Sequence, residues 1–261
     1  MDSRKKKIII LDVETNHKQE VFDLSIIVGD LHGNILVAKQ WIIEEIYPER
    51  LFWEDKRPDY EKIMADPTHP AKLVKGKVAF EELAKIIKDY KVKTIYAYNA
   101  AFDTRTVNNL ANYLELENPI KDIEIDCLWF WSAQTIFQQK NFFKWANKNF
   151  QYTMTEKGNY RTSAEIAYAY LTNDPTFEEV HRGLEDCYIE YQIFLACRKQ
   201  RKLRAKGICT NAWILVQTQE QINKLPKQFR SMKLNLESQI EQTTKVINKL
   251  NKNLRTEIEA V

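Results

Sequence analysis

The segment Lys7–Glu14 (KIIILDVE) constrains the fold more than any other stretch of the chain. Ile8, Ile9, Ile10 and Leu11 follow one another without a polar gap, and Val13 then stands between Asp12 and Glu14. A strand with one wet face alternates apolar and polar residues. This run has no wet face before its end, so it reads as a strand buried on both sides. Such a strand needs partner strands beside it and cover above and below.

The next residues supply both. Val21–Gly29 and Ile35–Ile43 are apolar-rich runs around Asp30-Leu31-His32-Gly33-Asn34, and Gly33-Asn34 brings the positive-φ chemistry of a turn, so the two read as a hairpin pairing with the first strand. Residues 44–77 are charged, aromatic and irregular, and Pro48, Pro58, Pro67 and Pro70 exclude a long helix there. Val78–Lys91 places Phe80, Leu83, Ala84, Ile86 and Ile87 at helical spacing. Thr94–Tyr98 then predicts a short strand, Asp103–Glu115 an amphipathic helix and Ile123–Cys127 a strand. Ser163–Leu171 predicts a helix with a Ser cap, and Leu184–Lys206 a longer helix. A hairpin followed by strand–helix alternation predicts an α/β fold, a mixed sheet with helices on its faces.

The C-terminal part is of another kind. Leu225, Phe229, Met232, Leu236, Ile240, Ile247, Leu250, Leu254 and Ile258 recur at three- and four-residue steps. They predict one amphipathic helix from about Lys227 to Ile258, roughly 48 Å long at 1.5 Å per residue. Part of so long a helix is expected to project or to pair with another helix, although Thr243 sits inside the stripe and the spacing is nearer 3.6 than 3.5. The expected organisation is a body, residues 1–206, and a basic helical extension, residues 207–261, serving interaction or homodimerisation. Charge is divided in the same way. Residues 1–197 hold 25 basic against 31 acidic residues and residues 198–261 hold 14 against 5, an asymmetry that the net +3 conceals and that suits contact with a polyanion. Arg198, Lys199, Arg201, Lys202, Arg204 and Lys206 form the densest basic run, as suited to phosphates as to a solvated helix end.

Cys127, Cys187, Cys197 and Cys209 show no CxxC pairing, which argues against a zinc site or disulfide framework and fits a reducing cytoplasm. The apolar run after Lys5-Lys6-Lys7 is too short for a signal peptide, and nothing approaches the roughly 18 consecutive apolar residues of a membrane span. A soluble cytoplasmic protein without membrane contact is expected.

Three patterns carry chemistry. Asp12 and Glu14, two apart on a strand, point to one face, and a pair of hard oxygen ligands suits Mg²⁺ or Mn²⁺. Asn99-Ala100-Ala101-Phe102-Asp103 follows a strand and opens a helix, delivering Asp103 to the sheet's carboxyl edge. His181-Arg182-Gly183-Leu184-Glu185-Asp186 would splay His181 and Asp186 apart on a straight helix, but Gly183 can leave His181 on a loop and Asp186 in the first turns of the next helix, where His181 can serve as a general base. Each pattern alone also has an ordinary reading: a solvated acid pair, an N-cap aspartate, an exposed histidine at a helix start.

In this order, and on these elements, Asp12-Val13-Glu14-Thr15, Asn99-x-x-x-Asp103 and His181-x-x-x-x-Asp186 resemble the three exonuclease motifs of the DEDDh branch of DnaQ-like 3′–5′ exonucleases, proteins of ribonuclease H-like fold. The likeness runs from about Lys7 to Cys197. Val21–Gly29 is similar to the family's second strand, and Ile125-Asp126-Cys127-Leu128 to a strand bearing a non-ligand acid. Two departures stand out: Asn16 and a compact loop follow Thr15 where the family often has Gly, and residues 44–77 match no motif.

The resemblance implies that Asp12, Glu14, Asp103 and Asp186 hold two divalent cations (Mg²⁺ or Mn²⁺) at the scissile phosphate, and that His181 takes a proton from the attacking water. It places Thr15 where the backbone meets the terminal nucleotide, with Asn99 and Phe102 lining the pocket. The implied activity is 3′–5′ exonuclease on nucleic acid, with single-stranded DNA favoured. RNA is the nearest alternative substrate, and a non-catalytic nucleic-acid-binding adaptor on the same fold is the reading of a different class. The extension would then dimerise the protein or dock it on a replication or repair protein. Trp129, Phe130, Trp131, Phe142, Phe143 and Trp145 fit base stacking or plain core, and no site is assigned to them.

Overall fold

The computed structural model describes residues 6–259, and side chains through residue 250. Six strands are β1 (Lys7–Thr15), β2 (Val21–Asp30), β3 (Ile35–Ile43), β4 (Ala71–Val74), β5 (Thr94–Ala97) and β6 (Glu124–Cys127). The helices are α1 (Arg57–Ala65), α2 (Gly76–Asp89), α3 (Ala100–Tyr113), α4 (Leu128–Gln134), α5 (Lys140–Lys148), α6 (Phe150–Thr153), α7 (Ala164–Thr172), α8 (Gly183–Lys199), α9 (Gln219–Asn223) and α10 (Lys227–Glu259). The chain divides into two compact units, residues 1–128 with 178–195 and residues 129–177 with 196–261. No described helix is long and apolar enough to cross a membrane.

The first unit is built on one mixed sheet in the order β4-β3-β2-β1-β5-β6. β1 and β2 pair antiparallel from Lys7↔Asp30 to Thr15↔Val21, with an irregularity at Glu14/Thr15, and β2 and β3 also run antiparallel. β5 lies parallel to β1, and β6 parallel to β5. The apolar run of β1 therefore occupies the inside of the sheet, and Ile8 through Leu11 are almost wholly removed from solvent. Ile9, Leu11 and Val13 share a core cluster with Ala79, Phe80, Leu83 and Ile87 of α2 and Val107, Leu110 and Ala111 of α3. From α8, the Cys187 thiol donates to the Ile10 carbonyl and the Tyr191 hydroxyl to that of Asp30, so this helix lies along β1 and β2.

Residues 44–77 hold more structure than their prolines suggest. Pro58 sits in the first turn of α1, where a missing N–H costs nothing. Pro70 immediately precedes β4, which pairs parallel with Gln40–Ile43 of β3 as an edge strand. Of the hairpin turn, Gly33 supplies the positive φ (100°). The late helix stops at Lys199 rather than Lys206. Arg201 has a left-handed φ of 48°, and Ala205 is held instead by Gln134, whose Oε1 accepts from the Ala205 N–H (2.9 Å) and whose Nε2 donates to its carbonyl (3.1 Å).

The second unit is helical. Phe142, fully buried, packs against Phe137, Phe143, Tyr160 and Tyr170, so this part of the aromatic run builds core. Trp131 lies under the Arg204 guanidinium at 3.9 Å. The 33-residue α10 matches the helix expected from about Lys227 to Ile258, and Leu234, Val246 and Leu250 along it are exposed.

Candidate active site

Strand periodicity brings Asp12 and Glu14 to one face of β1, flanking the buried Val13. The register of β1 with β5 covers only Ile9↔Ile95 and Ile10↔Tyr96. Beyond it β5 ends, and the chain turns into α3 at Asn99, whose left-handed φ of 61° an Asn tolerates. That turn sets Asp103, 3% exposed, in the first turn of α3. The backbone N–H of Val13 bonds the Asp103 carboxylate and ties helix to strand.

α8 opens at Gly183, so His181 stands on the preceding loop with φ 56° while Asp186 is buried in the first turn. Gly183 is required by close approach. A Cβ there would meet the Ser25 hydroxyl at 2.8 Å and the Ser25 Cβ at 2.9 Å. A ring nitrogen of His181 and a carboxylate oxygen from each of Glu14 and Asp186 lie within 4.8 Å of one another. The five expected chemistry-bearing residues thus belong to one unit: Asp12 and Glu14 on β1, Asp103 reaching β1 from α3, and His181 and Asp186 entering beside Glu14.

The electrostatics are those of acids crowded out of water. Burial pushes the Glu14 carboxyl up to about 8, with Asp23, Glu179 and Asp103 adding to the shift. Burial raises Asp103 to about 8 against the pull of its own and Val13's backbone N–H groups. Asp186 rises to about 9 through burial and then through Glu179, Glu14, Glu185 and Asp23. Asp12 is raised by burial first, then by Glu190, Asp186, Asp103 and Glu14. Asp12 Oδ2, Asp103 Oδ2 and Asp186 Oδ1 are shut from solvent with no hydrogen-bond partner among the described residues. Three unsatisfied oxygens in one acidic cluster are costly unless a cation meets them, and hard carboxylate donors fit Mg²⁺ or Mn²⁺.

Three further carboxylates surround the set. Asp23 of β2, opposite Glu14, is fully buried and accepts from Ser25 Oγ (2.7 Å), Gln40 Nε2 (2.7 Å), Tyr60 Oη (2.8 Å) and the Gly183 N–H (3.2 Å). It fastens the start of α8 to the sheet. Its sequence signal was Asp23 and Ser25, two polar residues two apart on an apolar strand. Glu190, one turn beyond Asp186, is buried and accepts from the Tyr98 N–H at 3.1 Å. Its spacing from Asp186 on a helical run was the available clue. Glu179 enters from the loop before His181 and repels Glu14, Asp186 and Glu190. Among the expected substrate residues, Thr15 is buried and its carbonyl accepts from the Phe52 N–H (3.1 Å). Asn99 is exposed at the start of α3, and Phe102 packs partly on the core beneath the Arg105 guanidinium at 5.6 Å.

No model of a known protein family matches the chain, and no curated protein matches it. Solved structures do. The nuclease domain of 3′hExo, a DEDDh family member, bound to rAMP, superposes with a TM-score of 0.50 at 12% identity, covering 76% of this chain and 94% of that one. The fold is ribonuclease H-like. Cell-death related nuclease 4 aligns at TM-score 0.47 and 13% identity, over 74% of this chain and 64% of that one. A 3′-exonuclease in 3′-end specific recognition of histone mRNA stem-loop aligns at TM-score 0.49 and 10% identity, over 74% and 82%.

Proposed function

We propose that the chain is a metal-dependent 3′–5′ exonuclease that hydrolyses phosphodiester bonds from single-stranded 3′ ends. The observation that carries this reading is the set of partnerless buried oxygens on Asp12, Asp103 and Asp186, in the cluster where His181 lies beside Glu14 and Asp186. A scaffold has no use for mutually repelling acids held at that cost.

Asp12, Glu14, Asp103 and Asp186 would hold two divalent cations. Bound there, these supply an activated water and neutralise charge on the scissile phosphate and the leaving 3′-oxygen. The chain's own groups do the rest. His181, carried on a loop beside Glu14 and Asp186, accepts the attacking water's proton at a ring nitrogen. Asp23 holds the Gly183 N–H and with it the entry into α8, keeping His181 and Asp186 in register with β1. Thr15 at the end of β1, with Asn99 and Phe102 at the start of α3, would receive the terminal nucleotide.

DNA is the first substrate proposed. An exoribonuclease with the same site is the second reading, supported by the rAMP bound to the 3′hExo nuclease domain. The extension 207–261 is proposed as the part that assembles or docks the enzyme. In the deciding experiment, 5′-labelled DNA and RNA oligonucleotides are digested in parallel with Mg²⁺ or Mn²⁺. A stepwise ladder stopped by EDTA, and abolished in Asp12→Ala and Asp186→Ala proteins that still fold, is expected. No ladder on either polymer, or full activity in either variant, refutes the reading.

A further inference from the structure

Residues 44–57, which match none of the three motifs, end beside the carboxylate cluster. His17 N–H donates to the Arg50 carbonyl (3.2 Å), the Phe52 N–H to that of Thr15 (3.1 Å), and Asn16 forms an isolated bridge with Leu51. Leu51 is fully buried and anchors the segment, yet the next two residues face outward, Phe52 at 53% and Trp53 at 39% exposure. Their rings form a continuous series. His17 lies 5.7 Å from Phe52, Phe52 stands edge-on to Trp53 at 5.1 Å, and Trp53 stacks on His181 at 4.7 Å with planes 8° apart.

The mounting of these rings is firm. Arg57 donates from Nη1 to the Tyr47 carbonyl (2.9 Å), from Nη2 to that of Glu49 (2.6 Å) and from Nε to Glu54 Oε1 (2.6 Å). Glu54 Oε2 in turn accepts from the Leu51 N–H at 2.8 Å. Two large exposed aromatics held on a braced loop lose little conformational freedom when a flat ligand packs against them. They also adjoin the histidine that the site would use on a phosphodiester.

We infer that Phe52 and Trp53, set nearly at right angles, form an aromatic platform for an unpaired nucleobase near the 3′ end of the substrate, in the last or next-to-last position. The base stacks on one ring with its edge against the other. The inference rests on the exonuclease reading and adds to it a subsite made by this chain's own 44–57 segment. Stacking needs a base out of its duplex and accepts any base with a π-face, so the platform selects single-stranded ends without selecting sequence.

The test is a cycle between protein and substrate. kcat/KM is measured for wild type, Phe52→Ala, Trp53→Ala and Trp53→Phe on an oligonucleotide with natural 3′ bases and on oligonucleotides abasic at the last or the next-to-last position. Each alanine variant should lose roughly tenfold on the natural end and nothing further on an abasic end at the contacted position, while Trp53→Phe keeps most of the wild-type rate. Equal fractional losses on natural and abasic ends would mean that the rings act only through the loop or His181, and would overturn the platform. Unchanged rates on every end would overturn it as well. If wild type cleaves nothing, the exonuclease reading fails. Anisotropy titrations of the same labelled oligonucleotides in EDTA then decide the platform by the same comparison, with base-dependent loss of affinity supporting it and base-independent or no loss overturning it.

Discussion

Asp23 shows how one residue outside the catalytic set can govern it. A fully buried carboxylate is tolerated because four donors converge on it, and one of them is the Gly183 N–H two residues after His181. Asparagine has nearly the same shape but only one acceptor oxygen and no charge. With that oxygen kept toward Gln40, Tyr60 and Gly183, Asp23→Asn turns its NH₂ toward the Ser25 hydroxyl, which must then accept rather than donate. Loss of about 1–3 kcal/mol of stability is expected, together with a fall in kcat and little change in KM. Thermal melts and steady-state kinetics on the same preparation check both. Alanine at Asp23 should be worse, because it leaves the hydroxyl of Tyr60 without this acceptor.

The catalytic carboxylates make a second prediction of the same scale. Glu14 and Asp103 stand near 8 and Asp186 near 9, against about 4 in an unfolded chain. Above about pH 4 the folded protein therefore keeps protons that the unfolded chain has released. The stability this confers is complete below that pH and is lost as pH rises toward 8–9. In EDTA the melting temperature should fall, by on the order of 5 °C or more, between pH 5 and pH 9. Mg²⁺ or Mn²⁺ should oppose the fall by meeting the charges that form. Asp12→Asn should lift the alkaline end of the EDTA profile, since it replaces a buried acid whose ionisation both burial and the neighbouring carboxylates oppose. A flat EDTA profile would mean that the acids are not in each other's field.

At the scale of elements, period and position made most of the site legible. β1 was readable because five apolar residues and two acids leave it no wet face, and the same period of two predicts that Asp12 and Glu14 share a side. The break at Gly183 predicted a loop His181 and a helical Asp186, and α8 opens there. Legibility failed where tertiary partners decide. β4 is four residues long and exists through its pairing with β3, a contact that no local pattern announces. α8 ends at Lys199, where Arg201 turns left-handed, and Gln134, more than sixty residues earlier, takes both backbone groups of Ala205. Glu190 and Asp23 were hidden for a related reason, since a buried acid reads as a polar interruption until its donors are in place. Gly183→Ala tests the junction directly. Its methyl would press on Ser25 at 2.8–2.9 Å, so the start of α8 must move. Activity should drop at least tenfold, in line with what small misplacements of reacting groups cost, while circular dichroism still shows a folded protein.

Across the whole molecule, the contact units sharpen the charge division that the sequence suggested. The sheet unit carries 20 basic against 28 acidic residues, and the helical unit 19 against 8, a net +11. Not all of that charge is offered to a polyanion. In the basic run, Arg204 is buried over Trp131 and Lys202 donates to the Gln134 carbonyl at 2.9 Å, which are structural tasks. Lys199 and Arg201 are exposed. If these two meet phosphates, each contributes about 0.7 to the slope of log affinity against log salt on a single strand. Lys199→Ala/Arg201→Ala should then shallow that slope by about 1.4 and weaken binding at low salt while leaving kcat unchanged. Lys202→Ala should instead lower the melting temperature and leave the slope alone. Titrations of a labelled oligonucleotide across a salt series separate the two, and an unaltered slope in the double variant would assign the grip to other cations of the helical unit.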